Sequence, residues 1–221
     1  MSSDVFDRIA PSWYNYRHYT IFRAELEELV LPGEGRWQRG KLVNLGCGHG
    51  ADFLPFIKHD FELYGVDYSK EMLKLAEQYA RKFNFDVNLI LADVSCLPFK
   101  DEVFDYAISV ATYHHLQTKE TRTRAFRELH RILKPGGEAF VTVWNKMQPR
   151  FLFSPDEVQV PWRMKGEILY RYYYLFTYGE IEKLAREAGF TVLKSSPEKV
   201  YHFPVKYFSR NITLLLKKSG K

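Results

Sequence analysis

The chain has 221 residues, 46% hydrophobic and 27% charged: enough apolar material for one domain with a full core, in proportions ordinary for a globular protein. No apolar run approaches the roughly 20 residues of a membrane helix, and MSSDVFDRIAPSWYNYRH lacks the unbroken apolar region of a secretory leader. Two cysteines, Cys47 and Cys96, with no CxxC pair, make neither a disulfide framework nor a zinc site, so no metal and a cytoplasmic setting are expected.

The net charge of +5 is unevenly spread. Residues 1–110 hold 12 Lys+Arg and 17 Asp+Glu (12 − 17 = −5), and residues 111–221 hold 20 and 10 (20 − 10 = +10). Such a basic half is either the footprint of a polyanion such as nucleic acid or the solvation of helix faces.

In chain order, LVNLG (42–46), FELYGVD (61–67), VNLILAD (87–93), FDYAISVAT (104–112) and EAFVTVW (138–144) read as five strands. A helical stretch begins near Ser69, and another runs from about Lys119 to Leu133. GEIEKLAREAG (179–189) is an amphipathic helix that stops at Gly189, and FTVLKSS and NITLLLKK are sixth and seventh strands. This alternation predicts an α/β fold, a mostly parallel seven-stranded sheet with helices on both faces. Its ligand belongs at the C-terminal strand ends, near the switch point. Residues 146–178 break the alternation and are expected to be an insertion over the site within a single domain, 1–221.

The stretch KLVNLGCGHGAD (41–52) runs from a strand into Gly46, Gly48 and Gly50. Read as GxGxxA it fits a dinucleotide loop, and read as GxGxG it fits a loop for S-adenosylmethionine. In both readings an acid ends strand two and accepts from a ribose diol, and Asp67 in GVDYS fills that place. Asp93 in LADVSCLPF is placed to accept from an adenine amino group.

The order of these motifs, with FDYAISVATYHHL and RELHRILKPGG after them, resembles the class I S-adenosylmethionine-dependent methyltransferases over residues 41–145. That resemblance implies a Rossmann-like methyltransferase fold and S-adenosyl-L-methionine as cofactor. It places Asn44, Gly46, Cys47, Gly48 and Asp67 around the cofactor, with Tyr68, Asp93, Val94 and Ala111. Most of the superfamily carries an acid at the position of Asn44, which orders the glycine loop. Asn keeps the shape and loses the charge, and Asp52 is a candidate to compensate.

VFDRIAPSWYNYRH (5–18), DEVQVPWRMKGEILYRYYYLFTYGEIEKLAREAGF (156–190) and the VW of 143–144 extend the resemblance. Nearly the whole chain resembles the tRNA wobble-uridine methyltransferase family, which includes the methyltransferase domain of the AlkB-homologue tRNA enzymes. The family converts 5-carboxymethyluridine to its methyl ester, which implies tRNA as partner and, often, a small zinc-binding activator subunit.

The chain departs from the family pattern at Tyr174, where His is frequent, and at Thr177, where a basic residue is frequent. Those departures leave the substrate open.

A carboxylate acceptor is already ionised at pH 7 and needs orientation and dehydration rather than a base. Arg17 is therefore expected to grip the acceptor or cofactor carboxylate, and His115 to donate a hydrogen bond or serve as a wall. Trp144 is expected to wall the acceptor pocket or sit in the core.

YRYYY (170–174) either stacks bases or alternates between core and surface. Arg122 either reaches phosphate or solvates its helix. Lys199, Lys206, Arg210, Lys217 and Lys218 would make tRNA binding salt-sensitive. Two other classes of function remain open: a methyltransferase of a small molecule, such as a quinone or carboxylic acid, and a non-catalytic scaffold.

Overall fold

Strand β1 (Gly40–Leu45) is buried over its last four residues. Val43 and Leu45 project to one face of the sheet and Leu42 to the other, the alternation inherent to a strand. The computed structural model describes residues 3–16, 18–31, 33 and 35–220. It pairs β1 in parallel with β2 (Phe61–Asp67) on one side and β4 (Phe104–Val110) on the other, while β3 (Asn88–Leu91) lies outside β2. Strand β5 (Leu133–Trp144) is parallel to β4, and β9 (Asn211–Lys218) is antiparallel to both β5 and β8 (Phe190–Pro197). The order β3-β2-β1-β4-β5-β9-β8 is the expected seven-stranded, mostly parallel sheet. Because the chain leaves β1 toward β2 and later returns on its other side with β4, the carboxyl ends of β1 and β4 flank the switch point.

Helices cover both faces. One core packs Phe126, Leu129 and Ile132 of α4 (Lys119–Ile132) and Ile181 and Leu184 of α5 (Tyr178–Glu187) against the sheet. The opposite core gathers Phe22, Leu26, Leu29, Trp37, Phe53 and Phe56, using α2 (Arg23–Leu29). Local signals set the helix boundaries. Ser69 caps α3 (Lys70–Phe83), Thr118 and Thr121 form a reciprocal capping box on α4, and Thr177 caps α5.

Four features refine the sequence reading. Lys134–Gly137 does not end before a new strand; it is an irregularity inside β5, with Gly136 at φ +80°. The insertion is a two-stranded sheet of its own, β6 (Glu157–Met164) and β7 (Glu167–Tyr174), closed by a turn at Lys165–Gly166. Along β7 the buried residues are Leu169, Arg171 and Tyr173, with Tyr170 exposed, so these tyrosines follow the core-and-surface reading. A fourth feature is helix α1 (Ser3–Tyr16), which joins α3 and the hairpin through Ile9, Ala10, Met72 and Leu169.

A polar clamp ties the entry of β1 to β5. The Glu138 carboxylate accepts from Arg36 at 2.6 and 3.1 Å and from the Trp37 indole N–H at 2.9 Å. Burial works to raise the Glu138 pKa, but these donors outweigh it and hold the group below its ordinary value. Its contribution is therefore present above the ordinary carboxylate range and is lost as pH falls through the lowered value. Glu138→Ala leaves the buried indole N–H without its acceptor, so urea unfolding should show a loss of about 1–3 kcal/mol. Glu138→Gln, which keeps one acceptor, should lose less.

Candidate active site

Three glycines make the sharp exit from β1. Gly46, Gly48 and Gly50 all have positive φ, at +77°, +53° and +89°, a region that costs an L-residue about 1–2 kcal/mol. The turn is held from β2: Gly46 N and Cys47 N both donate to Val66 O, at 2.7 and 2.9 Å. Asp67, the last residue of β2, then closes the arrangement. One carboxylate oxygen accepts from Gly48 N at 2.8 Å, and the other from Ser69 N at 2.9 Å.

A carboxylate has about four lone-pair sites, so acceptor capacity remains beyond these bonds, as a ribose diol requires. Burial raises the Asp67 pKa to about 6; backbone N–H groups of Ser69, Gly48 and Tyr68 oppose the rise, and Asp7 adds to it.

A cleft of about 910 Å³, open to solvent, lies over these strand ends, and Gly46, Cys47, Gly48, Asp67, Tyr68, Asp93, Val94 and Ala111 line it. Eight of the nine residues expected around the cofactor thus converge. The ninth, Asn44, is fully buried on β1 and is not part of the lining, and neither its Oδ1 nor its Nδ2 has a hydrogen-bond partner. It orders the glycine loop through no hydrogen bond here. Asp52 does line the cleft.

Asp93 accepts from Ser95 N at 2.8 Å. Ala111 keeps φ +56° while its N–H is bound by Thr142, at 2.9 Å to Oγ1. Burial, with Asp67 and Asp52 nearby, pushes the Cys47 thiol well above its ordinary value, so it is not a nucleophile.

The N-terminal segment forms the roof, which the sequence reading missed. Phe6, Trp13, Tyr19, Thr20 and Ile21 line the cleft, and Asp7 accepts from Ser69 Oγ (2.6 Å) and Glu71 N (3.2 Å). On its opposite side α1 meets the hairpin through an Arg8–Glu167 ion pair and a 2.7 Å bond from Trp162 Nε1 to Ser12 Oγ. The signal was in the sequence: Phe6, Ile9, Ala10 and Trp13 recur at helical spacing.

Of the expected catalytic residues, His115 lines the cleft edge-on to Phe6 at 4.9 Å. Its Nδ1 lies 2.9 Å from the Tyr172 carbonyl. A carbonyl only accepts, so Nδ1 carries the proton and Nε2 presents a lone pair. Burial lowers its pKa to about 3, with the Tyr172 bond opposing and the Arg171 charge assisting. The neutral ring therefore offers Nε2 as an acceptor, where a donor was expected. Trp144 is not in the cofactor cleft; it stacks on Tyr173 at 4.2 Å, behind His114 and Phe151. Arg17 lies outside the described residues.

Two arginines sit where charge alone did not point. Arg122 is buried, donates to the Leu116 and Gln117 carbonyls at 2.9 and 3.0 Å, and lies 3.6 Å over the Tyr174 ring. It neither reaches outward to phosphate nor solvates its helix. Arg171 is buried among Trp13, Trp162 and Tyr173, its guanidinium 4.8–5.6 Å from their ring centres.

A model described as a methyltransferase domain matches residues 43–141. A putative methyltransferase of Encephalitozoon cuniculi is 32% identical over 74% of this chain and 76% of its own length. The chain belongs to the class I S-adenosylmethionine-dependent methyltransferases.

The tRNA (carboxymethyluridine(34)-5-O)-methyltransferase of Schizosaccharomyces pombe is 27% identical to this methyltransferase over 86% of the chain and 88% of that protein. The probable tRNA methyltransferase 9B of Mus musculus is 35% identical over 56% of the chain, and the match spans only about a quarter (26%) of that longer relative. A segment of the bifunctional biotin-biosynthesis protein BioHC of Saccharophagus degradans is 30% identical over 86% of the chain and 34% of that protein. Among solved structures, the complex between the Haloferax volcanii Trm112 methyltransferase activator and a putative methyltransferase matches with TM-score 0.65, 18% identity and 97% coverage of both chains.

The cleft fits S-adenosylmethionine. Asp67 keeps acceptor capacity for the ribose, and the space beside Gly48 is open: a Cβ built there meets nothing within 4 Å. At Gly46 a Cβ would stand 2.2 Å from Thr112 Oγ1. Gly46→Ala should therefore lose thermal stability and cofactor binding together. Gly48→Ala should melt within a few degrees of the parent yet bind the cofactor weakly, because its methyl enters the cleft.

Titration supplies a further test. Cofactor binding through ionised Asp67 predicts an affinity that falls up to about tenfold per pH unit below about 6, and an Asp67→Asn variant that binds weakly with that step removed. In the unliganded fold the sign reverses. The folded pKa lies above the ordinary carboxylate value, so ionised Asp67 costs stability near pH 7, and acidification through about 6 relieves that cost.

Proposed function

We propose that this methyltransferase esterifies a carboxylate, that of 5-carboxymethyluridine at the wobble position of tRNA. The observation that carries the reading is the acid–base character of the acceptor side. His115, the titratable ring on that wall, is held neutral near pKa 3 and bonded through Nδ1–H to a backbone carbonyl. A group with so low a pKa is a poor base at pH 7, so the acceptor must arrive as a ready nucleophile, and a carboxylate does so.

The bound cofactor supplies an electrophilic sulfonium methyl group. The protein's own part is positioning and dehydration. Phe6, Trp13 and Tyr68 cover the cleft with rings and strip water from the incoming carboxylate, which sharpens its attack. The buried Arg171 charge lies beside His115 and Tyr173 and favours an anionic acceptor over a neutral one. Arg17 is the proposed grip on a carboxylate. Trp144, stacked behind Tyr173, holds that wall in place.

The Schizosaccharomyces pombe relative's named reaction, at 27% identity over 88% of its length, supports this acceptor. The activator named in the Haloferax volcanii complex supports a small activator subunit as partner. Methylation of a small molecule, such as a quinone or carboxylic acid, is the second reading, favoured by the likeness over 86% of the chain to a protein named for biotin biosynthesis.

The test is transfer of labelled methyl to tRNA bearing 5-carboxymethyluridine, with and without an activator subunit, followed by mild base. Label on the wobble nucleoside that base releases is the expected result, since base cleaves an ester and spares N- and C-methyl groups. Unlabelled tRNA under every partner condition, with cofactor still bound, would transfer the assignment to the small-molecule reading.

A further inference from the structure

Helix α4 groups three exposed cations in one cleft; among the described residues Lys70 and Lys82 of α3 also stand outside any ion pair, while the other cations of α3 and α5 are paired. On α3, Lys74 pairs with Glu71 and Arg81 with Glu77, each at 2.6 Å, and on α5, Arg186 pairs with Glu182 at 3.0 Å. These are i,i+3 and i,i+4 pairs that solvate a helix face. On α4, Arg131 takes Glu128 and Asp101. Among the described residues no ion pair engages Lys119, Arg124 or Arg127, and all three are exposed. With Glu120 and Thr123 they line an open-sided cleft of their own, separate from the cofactor cleft.

This cleft is joined rigidly to the acceptor wall. His115 is followed by Leu116 and Gln117, whose carbonyls are held by Arg122 at 2.9 and 3.0 Å. Tyr172 Oη donates to the same Gln117 carbonyl at 2.9 Å. Lys119 therefore begins the cleft four residues beyond His115, and Arg127 ends it about 12 Å further along the helix at 1.5 Å per residue. Thr123 Oγ1 is turned back onto the Lys119 carbonyl at 2.9 Å, which leaves one ammonium, two guanidiniums and the Glu120 carboxylate as the outward chemistry. Two guanidiniums and an ammonium in a row match successive phosphodiester groups, each an anion with a bidentate face for arginine.

We infer that the Lys119–Arg124–Arg127 cleft is an RNA-backbone site, binding the phosphates that flank the nucleoside presented to His115. The occupant is single-stranded RNA of the substrate, and the assignment of RNA as substrate rests on the reading above. Contact with phosphate fixes the register of the strand and carries no base preference. Glu120 is the acid in the cleft and works against the anion.

The experiment is filter binding of an anticodon stem-loop RNA at several salt concentrations, with methyl transfer measured on the same samples. The proteins are the parent, the Lys119→Gln/Arg124→Gln/Arg127→Gln triple variant and Glu120→Gln. The triple variant should bind RNA about tenfold more weakly near 0.1 M salt, and its salt slope should fall by about two units, from roughly 0.7 per lost contact. Its melting temperature and cofactor affinity should match the parent's, since the exchanged side chains are exposed and lie outside the cofactor cleft. Transfer should show a raised KM for RNA with kcat preserved. Glu120→Gln should shift affinity the opposite way.

RNA affinity and salt slope equal to the parent's in the triple variant would overturn the site, whether or not label is transferred. RNA binding that the triple substitution weakens, without methylation of any RNA, would retire the esterification reading and leave the phosphate site standing.

Discussion

Asp67 accepts from Gly48 N with one oxygen and from Ser69 N with the other, so one carboxylate at the end of β2 holds the loop after β1 against the start of α3. Ser69 in turn caps α3 through Met72 N at 3.1 Å, and Asp7 of α1 binds both Ser69 Oγ and Glu71 N. Strand ends, glycine loop, capped helix and roof are thus coupled through a few adjacent polar groups. Burying such a carboxylate is unfavourable in itself, which its raised pKa records, and its donors offset that cost only while the geometry holds.

The lining of the cleft combines two electrostatic characters. Asp52, Asp67 and Asp93 all line the cleft, an acidic character that suits a cationic sulfonium. The rest of the lining is rich in rings, with the neutral His115, and the buried Arg171 packs against Trp13 of that lining. Acidic groups together with rings and a buried cation favour bringing a positively charged donor and a negatively charged acceptor together. The charge asymmetry of the sequence has a partial counterpart in this arrangement, since Arg171 and the α4 cations all come from the basic half.

The central strands were legible because each carries a short apolar run, which strands buried on both faces need, while the edge strands β3 and β8 are less buried. Asp67 and Asp93 were legible from position alone, as the acids just past strand ends.

The hairpin β6–β7 was harder to read. Its charged and aromatic residues mix without clean alternation, and Pro161 interrupts a stretch that proves to be strand. Arg122 and Arg171 show a further limit. A sequence cannot tell a solvated cation from one packed on rings, because burial of a guanidinium depends on aromatic neighbours such as Trp13 and Trp162 that are far away along the chain. Asn44 was legible as an anomaly, and its meaning was not: the expected contact with the glycine loop is replaced by an amide enclosed in the core.

Helix α1 is fastened to two neighbours, to the cap of α3 by Asp7 and to the hairpin by Arg8 and Ser12. A molecule seated on the glycine loop shares the cleft with Phe6 and Trp13 of that strap, so its exit widens when these polar contacts part. Residence time in the cleft and equilibrium affinity are then separate properties of the chain. The first is governed by how often the strap detaches, the second by the Asp67 and glycine contacts. Turnover can accordingly be paced by exchange of spent for fresh donor, with the chemical step waiting on the N-terminal helix.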